Sequence, residues 1–177
     1  AAKTGQPSSL IAELDVLGKT MAVGINGVGK TTFLRTIPLF YGALPKEILK
    51  GTHRGSMIAY TLPTSSSAIV YEYERTSEED LRCAVMYRRP NEDEAVFYIM
   101  RSGYEERFFV DENEEFMDAP SFKARAEAAG IWVSQALRLN QYRSIILREK
   151  PMTKNGAKLR EMALEHSLGP RTLYNLG

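Results

Sequence analysis

Cysteine and histidine are scarce in this chain of 177 residues, which contains a single cysteine, Cys83, and two histidines, His53 and His166. A lone cysteine excludes an intrachain disulfide framework, and so few thiol and imidazole groups argue against a structural zinc site. Charge of one sign is also lacking, since the net charge is +1, and overall charge therefore favours no particular partner. The remaining composition, 44% hydrophobic and 25% charged, is typical of a globular domain.

Long hydrophobic runs are missing as well. No stretch of the sequence is long enough to cross a bilayer, and the first residues do not form a signal-peptide pattern. We therefore expect a cytoplasmic location and no membrane partner. The chain begins with "AAKTG" rather than with Met, which is consistent with a portion of a longer protein. Its length predicts one domain over residues 1–177.

Glycine is concentrated in "GINGVGKTT", residues 24–32, which matches the pattern G-x-x-x-x-G-K-[ST]. An apolar run at 21–25 precedes it, and a helix-like run begins at about Thr31. Glycines let backbone N–H groups turn inward around an anion, and the start of a helix adds further donors. Lys30 can reach the terminal phosphates, and the Thr31 hydroxyl can bind Mg²⁺. The sequence therefore predicts a nucleoside triphosphate site formed by Asn26, Gly27, Val28, Gly29, Lys30, Thr31 and Thr32.

Runs rich in β-branched and aromatic residues follow at 67–75, 81–89, 95–101 and 106–111, and short turn-rich segments separate them. Connections this short imply antiparallel neighbours, so we predict a meander of about four strands. We expect the tyrosines and phenylalanines of these runs to pack in the core rather than to form a base-stacking surface. Pro38 should kink or end the preceding helix before Gly42.

The pattern becomes helical after Pro120. Ser121 is the predicted N-cap of an alanine-rich helix, and Gly130 stands where a C-terminal glycine belongs. Residues 131–147 mix strand and helix signals. A last amphipathic helix is predicted at 157–168, and His166 should be a residue of its packed face rather than a ligand.

Three phrases of the sequence resemble one family of ATPases. The loop form G-x-N-G-x-G-K-T-T is similar to that of ABC-type ATPases, particularly the SMC, RecN and RecF branch. "LRTIPLFYGA" (34–43) resembles the start of large bacterial SMC-like coiled-coil ATPases, and "LNQYRSIIL" (139–147) resembles the stretch that holds their Q-loop glutamine. The likeness covers about residues 10–170, although only the phosphate loop is a specific motif.

This resemblance implies an α/β (α+β) fold, that of an ABC-type P-loop NTPase half-head with an antiparallel β-meander lobe followed by helices. Residues 1–42 would contain the strand, the loop and its helix. Residues 43–118 would form a connector and the β lobe, and 119–177 a helical part leading towards a coiled coil.

The resemblance also implies ATP and Mg²⁺ as cofactors, with Lys30 and Gln141 as catalytic residues and with Thr31 and Gln141 as metal ligands. Gln135 is an alternative to Gln141. The Walker B carboxylates and the signature loop would come from a C-terminal half-head and from the second head of a homodimer, so this chain alone should show little ATP hydrolysis. "FFVDE" (108–112) imitates Walker B, but it lies almost adjacent to the signature-like "RSGYEER", and we interpret it as a solvated hairpin turn.

DNA is the partner that the family implies, in genome maintenance or in defence against plasmids or phage. Residues 138–160 contain seven basic side chains and the single acid Glu149. Such a run either neutralises phosphates or forms an ordinary solvated face, and both interpretations stay open.

Other classes of function fit less well. A thymidylate-kinase-like phosphotransferase has a similar loop, but such enzymes continue with parallel strands and use an Asp-Arg pair, and that dipeptide is absent here. A partitioning ATPase of the deviant Walker type would carry a lysine where Ile25 stands. A nucleotide-gated interaction module that binds ATP without splitting it is a third alternative.

Overall fold

The computed structural model describes residues 30–44, 48, 57–75, 80–89, 94–148 and 156–168. These residues form helices α1 (Lys30–Phe40), α2 (Met57–Thr61), α3 (Ala119–Ala128), α4 (Leu139–Ile146) and α5 (Gly156–His166). They also form strands β1 (Ala68–Glu74), β2 (Leu81–Arg88) and β3 (Ala95–Met100), and a 3₁₀ turn at Glu106–Phe108. None of the helices within these ranges has the length and apolar character needed to span a bilayer.

The three strands form an antiparallel meander in the order β1-β2-β3, so the fold is mixed α/β with an antiparallel sheet, as predicted. In the observed register Val70 lies opposite Val85, which in turn lies opposite Tyr98. Each strand coincides with one of the β-branched and aromatic runs to within a residue or two. The alternation of these runs places successive side chains on opposite faces of the sheet.

Both faces of β2 are covered, because every residue from Arg82 to Tyr87 is buried. Ala84 and Met86 face a first apolar cluster, in which α1, α2, α4 and α5 pack against the sheet. Cys83, Val85 and Tyr87 face a second cluster, which the segment 104–133 provides, including α3. Aromatic residues are core residues, as predicted; those buried in β1–β3 are Tyr73, Tyr87, Phe97 and Tyr98.

The outer edge of β3 is paired with an irregular segment rather than with a fourth strand. Phe97 and Leu137 exchange two backbone hydrogen bonds, both 2.9 Å long. The buried Ser134 hydroxyl accepts the Ile99 N–H at 3.0 Å. The segment 131–138 is therefore extended along β3 before α4 begins, which explains the mixture of strand and helix signals in the sequence.

The prediction of a strand at 106–111 is wrong. Residues 106–108 form the 3₁₀ turn, and Val110 makes only an isolated bridge to Phe116. A strand would send Phe108 and Phe109 to opposite faces, whereas the turn buries both of them against the second cluster. A short continuous apolar run cannot distinguish these two solutions, because periodicity alone does not separate a buried strand from a buried turn.

The predicted N-cap of α3 is also wrong, whereas its C-terminal glycine is confirmed. Asp118, not Ser121, is the N-cap, and its carboxylate accepts the Ser121 N–H at 3.0 Å. Pro120 is suited to the first turn because its missing N–H is not needed there. Gly130 adopts a φ of 80° and, with Ile131, donates to carbonyls of the last turn.

The C-terminal end of α5 is held by the β1–β2 hairpin. The Tyr73 hydroxyl donates to the His166 carbonyl at 2.6 Å, and the Arg75 guanidinium donates to the Leu164 carbonyl. Carbonyls in the last turn of a helix have no intrahelical partner, and a cation near them is favourable for the helix dipole. Arg82, which is buried, forms an ion pair of 2.5 Å with Asp80 beside this junction.

His166 is buried at this junction, on the packed face of α5 as the sequence indicates. Its ring is 1% exposed and stacks on Trp132 with centroids 4.5 Å apart and an interplanar angle of 7°. Burial, with a smaller contribution from the nearby Arg82, Arg101 and Arg75, lowers the pKa of His166 to about 4 against the opposing effect of Glu165. The imidazole is therefore neutral at physiological pH.

We expect protonation of the unfolded chain to make folding stability fall between pH 7.5 and pH 5. The unfolded histidine takes up a proton at its ordinary pKa of about 6.5, whereas folded His166 stays neutral until about pH 4. The contribution of neutral His166 to the free energy of unfolding is fully present above pH 6.5 and is smaller by about 2 kcal/mol at pH 5. Urea unfolding at both pH values measures the loss.

The matched variants are His166→Phe, which retains a ring against Trp132, and His166→Gln. Both should lose about 2 kcal/mol less stability than the wild type over the same pH interval. Other titrating groups contribute equally to all three proteins and cancel in the comparison. An identical pH dependence in the three proteins would contradict the neutral, buried state of His166.

Candidate functional site

Helix α1 begins at Lys30, the lysine of the predicted phosphate-binding motif. The loop residues Asn26, Gly27, Val28 and Gly29 lie outside the described residues. Thr31 and Thr32 belong to the first helical turn, so the motif runs directly into a helix as the sequence predicts. The first N–H groups of any α-helix lack intrahelical partners and carry the positive end of the helix dipole, and the start of α1 is therefore suited to an anion.

The other end of α1 is a glycine-terminated cap. The helix continues through Pro38 and stops at Phe40, before Gly42 as predicted. Gly42 has a φ of 74°, and its N–H donates to the Leu39 carbonyl at 2.9 Å while the Ala43 N–H donates to the Pro38 carbonyl at 3.0 Å. This pair of bonds is a Schellman motif, which satisfies carbonyls that the helix leaves open and favours glycine at the left-handed position.

Two tyrosine hydroxyls fix α1 against the rest of the molecule. The Tyr71 hydroxyl, from β1, donates to the Thr36 carbonyl at 2.7 Å, and the Tyr142 hydroxyl, from α4, donates to the Phe40 carbonyl at 2.7 Å. Tyr142 is fully buried and stacks on Phe97 with centroids 4.3 Å apart. Burial raises the pKa of both phenols well above the ordinary value, so each stays a donor.

Gly42 also permits a close approach of α4 to α1. A Cβ atom at this position would lie 2.2 Å from Cγ of Arg143, which no side chain tolerates, so a glycine is required for packing as well as for its backbone angle. This contact and the Tyr142 hydrogen bond were not predicted. The sequence signal that precedes them is Gly42 itself, four residues after a proline within a helical run.

Gln141 lies in the first turn of α4, where its side chain caps the helix. Its Oε1 accepts the Arg138 N–H at 2.9 Å. The adjacent Tyr142 and Arg143 contact Phe40 and Gly42, about 15 Å along α1 from its first residue at the helical rise of 1.5 Å per residue. A role for Gln141 at a metal beside Thr31 would require this cap to open and its turn to approach the start of α1. Gln135 is exposed in the segment along β3.

Asp111 lies in a hairpin turn, in agreement with our interpretation of "FFVDE". Its carboxylate accepts the N–H groups of Asn113 at 2.8 Å and Glu115 at 2.9 Å. The hydrogen bonds from Glu115 and then Asn113 lower the pKa of Asp111 below its usual value. The carboxylate therefore serves the turn between Val110 and Phe116, rather than following a buried strand as a Walker B aspartate does.

The basic run at 138–160 does not form one continuous face in the part of the chain that the structure describes. Arg138, Arg148, Lys158 and Arg160 are exposed, but they are distributed over the ends of α4 and along α5. Arg148 has a φ of 54° and donates from Nε to the buried Ser167 hydroxyl at 2.7 Å. Lys150 and Lys154 lie outside the described ranges, and DNA binding stays a prediction.

No group of three or more His, Cys, Asp or Glu side chains within the described ranges is arranged to hold a metal ion. Binding of Mg²⁺ in the predicted manner needs no such cluster, because a P-loop threonine and the phosphates themselves supply ligands.

Comparison with known proteins assigns the chain to a family without assigning an activity. A family model matches residues 5–177, nearly the whole chain. Neither a curated protein nor a solved structure matches the chain significantly. The matching family is one of large coiled-coil proteins that are similar to RecF, RecN and SMC. The chain thus belongs to the DUF3584 family, which is described as a protein of unknown function.

Proposed function

We propose that this chain is the ATP-binding N-terminal half of the head of an SMC-like, DNA-associated ATPase. The observation that carries the proposal is the uninterrupted motif "GINGVGKTT" whose lysine is the first residue of α1. Membership in a family of large coiled-coil proteins similar to RecF, RecN and SMC supports it. The process served would be genome maintenance or defence against plasmids or phage.

The residue types at 26–32 suit a triphosphate with Mg²⁺. Lys30 and the amides of residues 26–32 would hold the β- and γ-phosphates, and the Thr31 hydroxyl would hold the metal. Phosphoryl transfer depends chiefly on positioning and on charge stabilisation, and the bound Mg²⁺ neutralises charge that develops on the phosphates. The chain's contribution is then a rigid helix, because Tyr71 and Tyr142 fix the far half of α1 against the sheet and α4.

The arrangement after α1 favours this proposal over a thymidylate-kinase-like phosphotransferase. Such kinases continue with alternating helices and parallel strands, whereas here β1, β2 and β3 are antiparallel and consecutive. An antiparallel lobe between the phosphate loop and the glutamine-bearing helix is the order that the ABC-type resemblance implies.

The proposed nucleotide site would be completed by residues that lie outside these 177 residues. The Asp111 carboxylate is engaged in its own hairpin, so we assign the Walker B carboxylates to a C-terminal half-head and the signature loop to the second head of a homodimer. ATP would then join two heads, and hydrolysis would release them.

Replacement of Lys30 by alanine should lower ATP affinity roughly a hundredfold, because the ammonium contributes charge-assisted bonds to two phosphates. Calorimetry with Mg-ATP on the purified chain measures the effect. Lys158→Ala, an exposed lysine of α5, is the matched control and should bind ATP normally. Affinity retained within a few-fold by Lys30→Ala would show that the loop is not the nucleotide site.

Replacement of Gln141 by alanine tests the metal role and separates it from the capping role. Loss of the cap should lower the free energy of unfolding by about 1 kcal/mol with or without nucleotide. A metal ligand should also be lost, so the gain in ATP affinity on adding Mg²⁺ should shrink in Gln141→Ala and not in Gln135→Ala. If the Mg²⁺-dependent gain in ATP affinity shrinks only in Gln135→Ala, the metal ligand is Gln135. If the gain is unchanged in both variants, neither glutamine binds the metal.

The chain alone should bind ATP with negligible turnover, and Asp111→Asn should change neither property. Release of phosphate over hours, with Glu112→Gln as an exposed neighbouring control, measures this. The reason is that the Asp111 carboxylate already accepts two backbone N–H groups within its hairpin. Steady hydrolysis that disappears in Asp111→Asn would place the Walker B aspartate in this chain after all.

A further inference from the structure

A cleft of about 330 Å³ opens into the first apolar cluster at the C-terminal end of α1. We name it the α1–α4 cleft, since these helices line two of its sides together with α2 and the ends of β2 and β3. Its volume falls within the range of ~300–1,000 Å³ that is usual for small-molecule sites. Its accessible apolar surface comes from half-buried residues, which are Ala43, Leu44, Ala95 and Leu139. The buried Leu39, Ile58, Met86 and Phe97 lie behind this surface.

Two side chains of opposite charge stand at the mouth of this cleft. Glu94 precedes β3, Arg138 precedes α4, and both line the cleft. The Phe97–Leu137 pair brings them together, since antiparallel pairing places the residues just before Phe97 alongside those just after Leu137. Glu94 forms an ion pair with Arg89 at 3.6 Å, but its side chain remains 64% exposed, and Arg138 is exposed as well. Both charges are therefore accessible to a ligand.

We propose that the α1–α4 cleft binds a free α-amino acid with an apolar side chain of about the size of leucine. The apolar side chain would lie against the half-buried apolar surface of the cleft, the ammonium group against Glu94, and the carboxylate against Arg138. A simple anion would be opposed by Glu94 and a simple cation by Arg138, whereas a zwitterion satisfies both charges. The exposed amide side chain of Asn140, which also lines the cleft, can donate to the carboxylate.

This site is separate from the proposed nucleotide site. It lies at the end of α1 marked by Leu39 and Ala43, whereas Lys30 begins the helix about 14 Å earlier at the helical rise of 1.5 Å per residue. The inference does not rest on the proposed function, and Lys30→Ala should leave amino-acid binding unchanged.

The first experiment compares three probes of similar apolar shape on the full chain without nucleotide. L-leucine carries both charges, 4-methylpentanoate lacks the ammonium, and 3-methylbutylamine lacks the carboxylate. Titration followed by saturation-transfer NMR should give a Kd on the order of 1 mM for L-leucine, as the size of the ligand allows. Each singly charged probe should bind at least about fivefold more weakly. Equal binding of the three probes, or no saturable binding of L-leucine by ~20 mM, would overturn the proposal.

The second experiment locates the site with variants. Ala95 is half-buried at the start of β3 and lines the cleft, so Ala95→Leu should fill it and abolish leucine binding. Arg138→Gln should weaken leucine and 4-methylpentanoate by roughly fivefold and should strengthen 3-methylbutylamine, because the charge that opposes its ammonium is removed. Arg160→Gln, an exposed arginine of α5, is the matched control for the lost charge. Leucine binding that persists in both Ala95→Leu and Arg138→Gln would exclude this cleft as the site.

Discussion

The structure depends on the junction between the end of α1 and the start of α4. There the buried Tyr142 hydroxyl donates to the Phe40 carbonyl, a group that the end of the helix leaves without an intrahelical partner. Each of the two polar groups would cost ~1–3 kcal/mol if it were buried alone, so each needs the other. Gly42 lets the two helices approach closely enough for this bond, since any side chain would collide with Arg143. The direction of α1, and hence the position of Lys30, follows from this junction.

The two faces of the sheet also depend on each other. β2 is central and buried on both faces, and β2 and β3 contribute side chains to both apolar clusters, so loss of either cluster would expose one face of these strands. The hairpin of β1 and β2 also holds the last carbonyls of α5 through Tyr73 and Arg75. Among the described residues, three tyrosine hydroxyls donate to carbonyls in or near the final turns of α1 and α5, and this recurring contact ties each of these helices to the core.

The two functions that we propose for this chain lie at the two ends of one helix. The start of α1 carries the chemistry that suits phosphate, which is general to helix N-termini preceded by glycines. Its other end borders the α1–α4 cleft, whose half-buried apolar lining and opposed charges suit a different class of ligand. The start of α4 is also common to both proposals, because its N-cap Arg138 lines the cleft and Gln141, in its first turn, is the predicted metal ligand.

Local patterns in the sequence were sufficient for the start of α1, for strands β1 to β3, for α5 and for the glycine ends of α1 and α3. These elements are determined by contacts between residues close in sequence: alternation in strands, spacing in helices, and the backbone freedom of glycine. The failures have one cause. The strand predicted at 106–111 and the N-cap predicted at Ser121 were wrong, because a run of apolar residues, or a choice between two capping side chains, is settled by what the segment packs against.

Taken alone, the sequence determined the positions of α1, β1 to β3, α3 and α5, the glycine-rich motif and the likeness to SMC-type ATPases. Tertiary structure alone decided that Gln141 caps α4, that the Asp111 carboxylate accepts two N–H groups of its own turn, and that Glu94 and Arg138 line one cleft. The physical reason is distance along the chain: Phe40 and Tyr142 are 102 residues apart in sequence, and no local pattern encodes a hydrogen bond between them.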